Sequence, residues 1–334
     1  MTESLRRLRL EGLEPDNLLA FMALLGLLRA LEALDGSRHP SWRPRAAWDI
    51  GRPPLRPILI LAEAQTPEAI CEAAAAGAAL LAADYVFPQD LEDGASPQKD
   101  LAYPAKTARK LLKRAADAED RRRADLWAAL MCDKAEKDEK IEATPFCLLF
   151  GQGHQHFLDR LAAAPRTEAP SRGRGRKAAA LTAAEALHES LFQPWARQDP
   201  TPAFRWDPAE DVRYALQADD PSGVKSTTQH GANRLAALGL PALTVTPTQR
   251  GERVRLQVLG GRTDRNEFAF DWPIWTAPAS LTAIRALLSH PDLPGGPSRL
   301  AHLDVVEVRR ARRISVGKFM NFTRAAPIFE KNGA

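Results

Sequence analysis

The sequence has few cysteines and no motif built from them. Cys71, Cys132 and Cys147 lie far apart along the chain, and none belongs to a CxxC pair. A disulfide framework needs several pairs of cysteines, and a zinc knuckle needs closely spaced ones, so both are excluded. Three cysteines in 334 residues are typical of a protein from a reducing compartment, which predicts a cytoplasmic location.

The sequence also lacks a hydrophobic run long enough to cross a membrane. Its most apolar stretch, Leu18 to Leu28, has about eleven residues, whereas a transmembrane helix needs about twenty. Arg29 and Glu32 follow at once, and we find no signal-peptide cleavage pattern. We therefore expect a buried helix here and no membrane partner.

Familiar enzyme motifs are absent from the sequence. It contains no Walker A motif, no GxSxG, no HExxH and no GxGxxG after a strand. His154 and His156 alternate without a third metal ligand nearby, and the acidic run from Asp133 to Lys140 is typical of a solvated helix face. The sequence therefore predicts a protein without catalytic residues or cofactor, and a metal-dependent nuclease that uses either set is the alternative.

Lysine is scarce relative to arginine. The chain has 35 Arg and 11 Lys, and its formal net charge is +4. Arginine offers a planar fork that suits phosphate and carboxylate groups, so this bias favours an anionic partner. The 58 alanines indicate that codon usage explains the arginine content equally well.

The pattern of apolar residues predicts an α+β fold in two parts. Residues 1–164 form a helix-rich part with short strands, and residues 181–334 form a mixed α/β part with a β-hairpin and a basic C-terminal patch. The hairpin is predicted from the alternating segments 253–258 and 268–272. Residues 165–180 lack large apolar side chains and are rich in Gly, Pro, Ser and Arg, so we expect an exposed, mobile linker.

Two clusters of basic residues are candidate phosphate contacts, because a phosphate backbone attracts such clusters whatever its base sequence. The linker cluster consists of Arg172, Arg174, Arg176 and Lys177, and the C-terminal cluster of Arg309, Arg310, Arg312, Arg313 and Lys318. For the linker, simple solubility remains an alternative. Phe319 and Phe322 could stack on bases beside the second cluster or pack into the core.

The block from Trp206 to Ala237 is rich in turn and helix-start signals. Thr227 or Thr228 is suited to cap a helix that runs through Leu238. The start of such a helix is a favourable place for a phosphate, and the candidates for duplex contact around it are Lys225, Gln229, Asn233 and Arg234. An alternative remains open for Arg213 and Arg234, which could form internal ion pairs with Asp207, Glu210 or Asp211.

Two segments of the chain resemble CRISPR-associated proteins of the type I-U group, also called type I-G. The opening Leu10 to Ala30, LEGLEPDNLLAFMALLGLLRA, is similar to the opening of those proteins. The block from Trp206 to Ala237, with DPSG and GANRLAA, is similar to a segment of the same group. Through these segments the chain resembles large-subunit-like components of the Cascade effector, or extensions associated with its helicase-nuclease.

This resemblance implies a non-catalytic role in RNA-guided defence. Such a subunit binds guide RNA and target DNA, helps to read the protospacer-adjacent motif and recruits the helicase-nuclease, and other Cascade subunits are its partners. The resemblance carries over no catalytic residue and places no motif-reading residue in this chain. A protein-binding adaptor within the effector is a further alternative.

Overall fold

The computed structural model describes residues 6–37, 41–92, 94–132, 140–149, 156–173, 178–210, 227–250, 253–264, 267–316 and 319–329. These residues form an α+β fold, and the predicted fold class is confirmed. Within these ranges, no helix combines the length and apolar character needed to span a bilayer.

Several of the α-helices begin at a residue whose side chain caps the first turn. The side chain of Thr66 accepts a hydrogen bond from the N–H of Ala69 at 3.2 Å, and Thr182 and Glu185 form a capping box. The helix His230–Gly239 does not begin in this way: its N-cap is Gln229, without a side-chain capping bond, so the cap predicted at Thr227 or Thr228 is wrong. The helices are α1 Leu18–Ser37, α2 Pro67–Leu81, α3 Ala105–Asp117, α4 Arg121–Leu130, α5 Phe157–Ala163, α6 Ala183–Phe192, α7 His230–Gly239 and α8 Leu281–Leu288.

The strands pair antiparallel in small sheets. They are β1 Arg7–Arg9, β2 Arg45–Asp49, β3 Arg56–Ile60, β4 Met131–Cys132, β5 Glu142–Ala143, β6 Ser171–Arg172, β7 Ala179–Ala180, β8 Val245–Arg250, β9 Arg253–Val258, β10 Gly261–Asp264, β11 Glu267–Trp275, β12 Val305–Val316, β13 Phe319–Phe322 and β14 Ala326–Pro327. The largest sheet has the order β10-β11-β12-β13, with β14 also paired to β12, and a second sheet has the order β1-β3-β2. The pairs β4-β5, β6-β7 and β8-β9 form separate ribbons.

The centre of the core is the contact between α1 and α7. Most of α1 is buried, as its apolar sequence predicts, and every residue of α7 is buried. A Cβ on Gly26 would lie 1.8 Å from the carbonyl oxygen of Leu235, and one on Gly239 would lie 2.2 Å from that of Met22. The two backbones therefore touch at glycines that no larger residue can replace without a shift of the helices.

The segments Leu10 to Ala30 and Trp206 to Ala237 meet at this contact. The first contains most of α1 and the second contains most of α7. Just before α1, Asn17 Nδ2 donates to Asp207 Oδ1 at 2.9 Å, and the N–H of Leu19 donates to the carbonyl oxygen of Trp206 at 3.2 Å. In this fold, both segments therefore serve core packing.

The predicted hairpin partner of β9 is wrong. Strand β9 pairs with β8, whereas β11 pairs with β10 and β12. The turn residue Gly260 separates β9 from β10, and its φ of +71° suits glycine. Strand β11 is central in its sheet, so residues 268–275 are buried on both faces.

The described part of the predicted linker at residues 165–180 has defined contacts. Pro165 is buried, and Ser171–Arg172 pairs with Ala179–Ala180. One hydrophobic core contains residues from both sides of this segment, because α2 packs on α6 and α1 packs on α7.

Candidate nucleic-acid interface

Arg310 of β12 is engaged in an internal ion pair. Its Nε and Nη2 atoms each lie 2.6 Å from an oxygen of Asp271, which is 1% exposed and stands opposite on β11. Burial raises the pKa of Asp271, and the guanidinium of Arg310 opposes that effect. A fork engaged at both nitrogens is not available to a phosphate backbone in this conformation.

The other three arginines of β12 differ in their exposure. Arg309 forms an ion pair with Glu307 and its side chain is 15% exposed. Arg313 donates to the carbonyl oxygen of Pro145 at 3.3 Å and lies over the ring of Phe268. Arg312 is 61% exposed, and its Nη1 atom is 3.7 Å from an oxygen of the exposed Glu267. Of these four, Arg312 alone presents most of its side chain to solvent.

The aromatic residue Phe322 near this cluster belongs to the core. It is 1% exposed, and its ring packs against the rings of Phe146 and Phe268. Of the two alternatives for this residue, core packing is therefore the one observed. Lys318 and the side chain of Phe319 lie outside the described residues.

Arg172 of the linker cluster is also paired. Its Nη1 atom lies 2.6 Å from Asp199 Oδ1, its Nε lies 3.2 Å from Glu189 Oε1, and Asp199 is 1% exposed. These two carboxylates raise the pKa of Arg172. The remaining predicted residues of this cluster, Arg174, Arg176 and Lys177, lie outside the described part of the chain.

The predicted duplex contacts on α7 are buried. Gln229, Asn233 and Arg234 are 3%, 2% and 9% exposed. Gln229 Oε1 accepts from the N–H of Arg197, Asn233 Nδ2 donates to the carbonyl oxygen of Pro202, and Arg234 Nη2 donates to that of Pro165. A duplex cannot reach these side chains in this conformation, and the fourth candidate, Lys225, lies outside the described residues.

The residues considered for nuclease chemistry do not form a described cluster. His156 Nδ1 lies 3.0 Å from Asp100 Oδ1, and His156 stands at the N-cap of α5 without a side-chain capping bond. Residues 133–139 and His154 lie outside the described ranges. Within those ranges, no three His, Cys, Asp or Glu side chains lie close enough together to hold a metal ion.

Helix α3 carries a basic face that the residue-level site predictions missed. Its buried residues are Ala105, Ala108, Leu111 and Ala115. The exposed residues on the opposite side include Lys106, Arg109, Lys110, Lys113 and Arg114, which we call the α3 basic face. They follow the spacing i, i+3, i+4, i+7 and i+8, so they lie along one side of the helix over about 12 Å.

Three members of the α3 basic face have no ion-pair partner among the described residues. These are Lys106, Arg109 and Lys110. Lys113 forms an i,i+4 salt bridge with Asp117 at 2.8 Å, and Arg114 donates to the carbonyl oxygen of Leu91 at 3.2 Å. The face therefore keeps an excess of positive charge.

Adjacent like charges on a helix repel each other by a few tenths of a kcal/mol per pair. A bound polyanion would relieve this repulsion between Lys106 and Lys110, and it would release its own counterions. The sequence already indicated the α3 basic face, because its basic residues recur at helical spacing. The basic residues form no consecutive run, because Thr107, Ala108, Leu111 and Leu112 lie between them in the sequence.

The arginines at the start of α4 add less net positive charge to this surface than the residues of the α3 basic face do. Arg121 pairs with Asp125 at 3.1 Å, and Arg122 lies 3.4 Å from an oxygen of Asp84. Both side chains are more than half exposed, but each already has a carboxylate beside it.

Comparisons with protein-family models, curated proteins and solved structures gave no match to this chain.

Proposed function

We propose that this chain is a non-catalytic nucleic-acid-binding protein that contacts the phosphate backbone through the α3 basic face. The observation that carries the proposal is the alignment of Lys106, Arg109 and Lys110, all exposed and without a carboxylate partner among the described residues. Duplex DNA has about one phosphate per 3.4 Å of axis on each strand, so a face about 12 Å long spans three to four of them.

The proposed partners are the guide RNA and target DNA of a Cascade-like effector. The support for this narrower proposal is the resemblance of the segments Leu10 to Ala30 and Trp206 to Ala237. In such an assembly the protein binds the phosphate backbone of the nucleic acid, and base pairing with the guide RNA supplies the sequence specificity. Exposed cations are therefore more useful to this protein than side chains that recognise particular bases.

Salt-dependent binding tests the contact. We expect the triple variant Lys106→Gln/Arg109→Gln/Lys110→Gln to bind a fluorescent duplex of about 20 base pairs more weakly. The slope of log affinity against log salt, measured by anisotropy between about 50 and 200 mM salt, should fall by about 2 to 3 because three phosphate contacts are lost.

A matched variant separates a local contact from net charge. Arg6→Gln/Arg7→Gln/Arg45→Gln also removes three exposed positive charges, and these lie on or beside β1 and β2 rather than on α3. We expect it to leave the slope nearly unchanged. An equal loss in both triple variants would show that net charge, and not the α3 basic face, drives binding.

Co-purification tests the narrower proposal about partners. The tagged chain, isolated from its host, should carry an RNA of uniform length together with other effector subunits. If the α3 variants confirm nucleic-acid binding but no such RNA is recovered, the polyanion contact stands and the Cascade assignment fails.

A further inference from the structure

A small cavity lies beside the first turn of α7. It has a volume of about 160 Å³ and is lined by α5, the turn Ala164–Thr167, the segment Thr201–Pro202 and α7. Its polar lining includes Arg160, Thr201, His230, Asn233 and Arg234. This volume corresponds to about five water molecules at about 30 Å³ each, so the cavity suits a small polar ligand.

Three buried polar atoms in this lining have no hydrogen-bond partner among the described residues. They are His230 Nε2, Asn233 Oδ1 and Arg234 Nε, and the three residues are 2%, 2% and 9% exposed. Their spacing i, i+3, i+4 places them on one face of α7. Orphaned buried polar atoms are uncommon in folded proteins, and three on one cavity indicate a missing partner.

The charges around the cavity favour an anion. Arg160 and Arg234 donate to the carbonyl oxygens of Ala203 and Pro165, and neither has an ion-pair partner in the described ranges. Burial lowers the pKa of both guanidinium groups, which is the expected response to uncompensated positive charge. A bound anion would supply the compensation.

The other titratable groups near the cavity do not supply it. Asp199, which accepts from the N–H of His230, is already paired with Arg172. Glu210 acts on Arg160, but burial raises the pKa of Glu210 to about 8, so its carboxyl group is mostly protonated at neutral pH. Burial lowers the pKa of His230 to about 4, so its ring is neutral. Asp159 lines the mouth of the cavity and is exposed.

We propose that this cavity binds a phosphate group that carries a proton, with inorganic hydrogen phosphate as the simplest ligand. Arg160 and Arg234 would donate to phosphate oxygens, and Asn233 Oδ1 would accept the P–OH proton. His230 Nδ1 lies 2.8 Å from Thr201 Oγ1, and a hydroxyl can donate to that nitrogen. The proton then sits on Nε2, which donates to the ligand.

The orientation of Asn233 makes the proposal specific. Its Nδ2 donates to the carbonyl oxygen of Pro202 at 3.2 Å, which fixes Oδ1 toward the cavity as an acceptor. Sulfate has no proton at neutral pH, so its oxygens would face Asn233 Oδ1 without a hydrogen bond. This site goes beyond the proposed function and does not depend on it.

Isothermal titration of the full chain at pH 7 tests the site. We expect inorganic phosphate to bind, and sulfate at the same ionic strength to bind at least about tenfold more weakly, because one buried acceptor stays unsatisfied. Absence of phosphate binding, or equal affinity for both anions, would overturn the proposal.

Two variants locate the site. Arg234→Lys keeps the charge but loses the fork, and we expect about a tenfold loss of phosphate affinity. Because a buried change can unfold the chain, Asp159→Asn provides a test at the exposed mouth. Removal of this carboxylate should tighten phosphate binding about two- to fivefold. Glu63→Gln, an exposed carboxylate away from the cavity, should change nothing, and an unchanged affinity in Asp159→Asn would overturn the assignment.

Competition with short oligonucleotides identifies the source of the phosphate. An oligonucleotide with a 5′-phosphate that displaces inorganic phosphate would extend the site to a nucleic-acid end, and failure to displace it would restrict the site to the free ion. Either result supports a phosphate site. Displacement by the matching 5′-hydroxyl oligonucleotide would contradict it, because that molecule has no terminal phosphate.

Discussion

Strand β12 and helix α3 both concentrate basic residues, but they use them in opposite ways. On β12, Arg310 is locked to the buried Asp271, and Arg309 is paired with Glu307. On α3, Lys106 and Lys110 are exposed and have no carboxylate partner among the described residues. The density of positive charge along a sequence therefore does not indicate how much of that charge a ligand can reach.

The difference follows from the geometry of the two elements. A residue in a central strand has a cross-strand neighbour about 5 Å away, and for Arg310 that neighbour is Asp271. A surface helix packs one side against the core and leaves the other in water. On α3 the apolar residues occupy the first side and the basic residues the second.

The largest expected effect concerns stability on the sheet side of the comparison. Arg310→Ala leaves Asp271 buried without its partner, which costs about 3–5 kcal/mol of unfolding free energy in comparable pairs. Chemical denaturation would measure the loss. Arg310→Met combined with Asp271→Leu removes both charges and should recover much of it. If the Arg310→Ala protein were stable but bound DNA more weakly, β12 would instead be the element that contacts DNA.

A second prediction contrasts Asp271 with Glu210, a buried carboxyl group whose oxygens have no hydrogen-bond partner among the described residues. The folded-state pKa of Glu210 is about 8 against an ordinary 4.5. The folded state therefore holds an extra proton between these values, and stability falls as pH rises, by up to about 1.4 kcal/mol per pH unit.

His230 opposes this trend at lower pH. Its folded-state pKa of about 4 lies below the ordinary 6.5, so the unfolded state holds the extra proton and stability rises with pH in that window. The net fall should therefore be clearest between pH 6.5 and 8. Glu210→Gln should abolish it in denaturation curves at several pH values, and parallel curves for both proteins would contradict this assignment.

A third prediction compares single charges on the two elements. Lys110→Gln should lower the salt slope of duplex binding by about 0.9, the value of one phosphate contact. Arg312→Gln removes the most exposed arginine of β12, and we expect no measurable change in the slope. If Arg312→Gln had the larger effect, the interface would lie on the sheet.

The smallest expected effect comes from freeing a cation on α3. Asp117→Asn removes the salt-bridge partner of Lys113. We expect slightly tighter duplex binding and a salt slope steeper by less than 1, because one more cation becomes available. An exposed i,i+4 pair contributes about 0.3–0.5 kcal/mol, so the change in unfolding free energy should be small. Weaker binding in this variant would argue against the α3 basic face.

Much of the secondary structure could be predicted from local pattern. The alternating segment 253–258 is strand β9, and the buried helix expected from the apolar stretch at Leu18 is α1. These elements follow from periodicity and end signals within a few residues. The predicted partner of β9 was wrong because strand pairing depends on both strands and on how the sheet packs, and the pattern of one strand does not contain that information.

The candidate site was harder to predict. Clusters of consecutive arginines drew attention to residues 309–313, whereas the α3 basic face is interrupted by apolar residues and becomes continuous only on a helix. The burial of Asn233 and Arg234 could not be predicted either, because α7 is short and its polar residues are also typical of a surface helix.

The sequence by itself determined the fold class, the apolar helix α1 and the spacing that aligns the basic residues of α3, because each depends on residues close together in the chain. Only the tertiary structure decided which cations are free. Asp271 meets Arg310, and α1 meets α7, across long sequence separations. Such contacts depend on how the elements pack, and packing is a property of the whole chain.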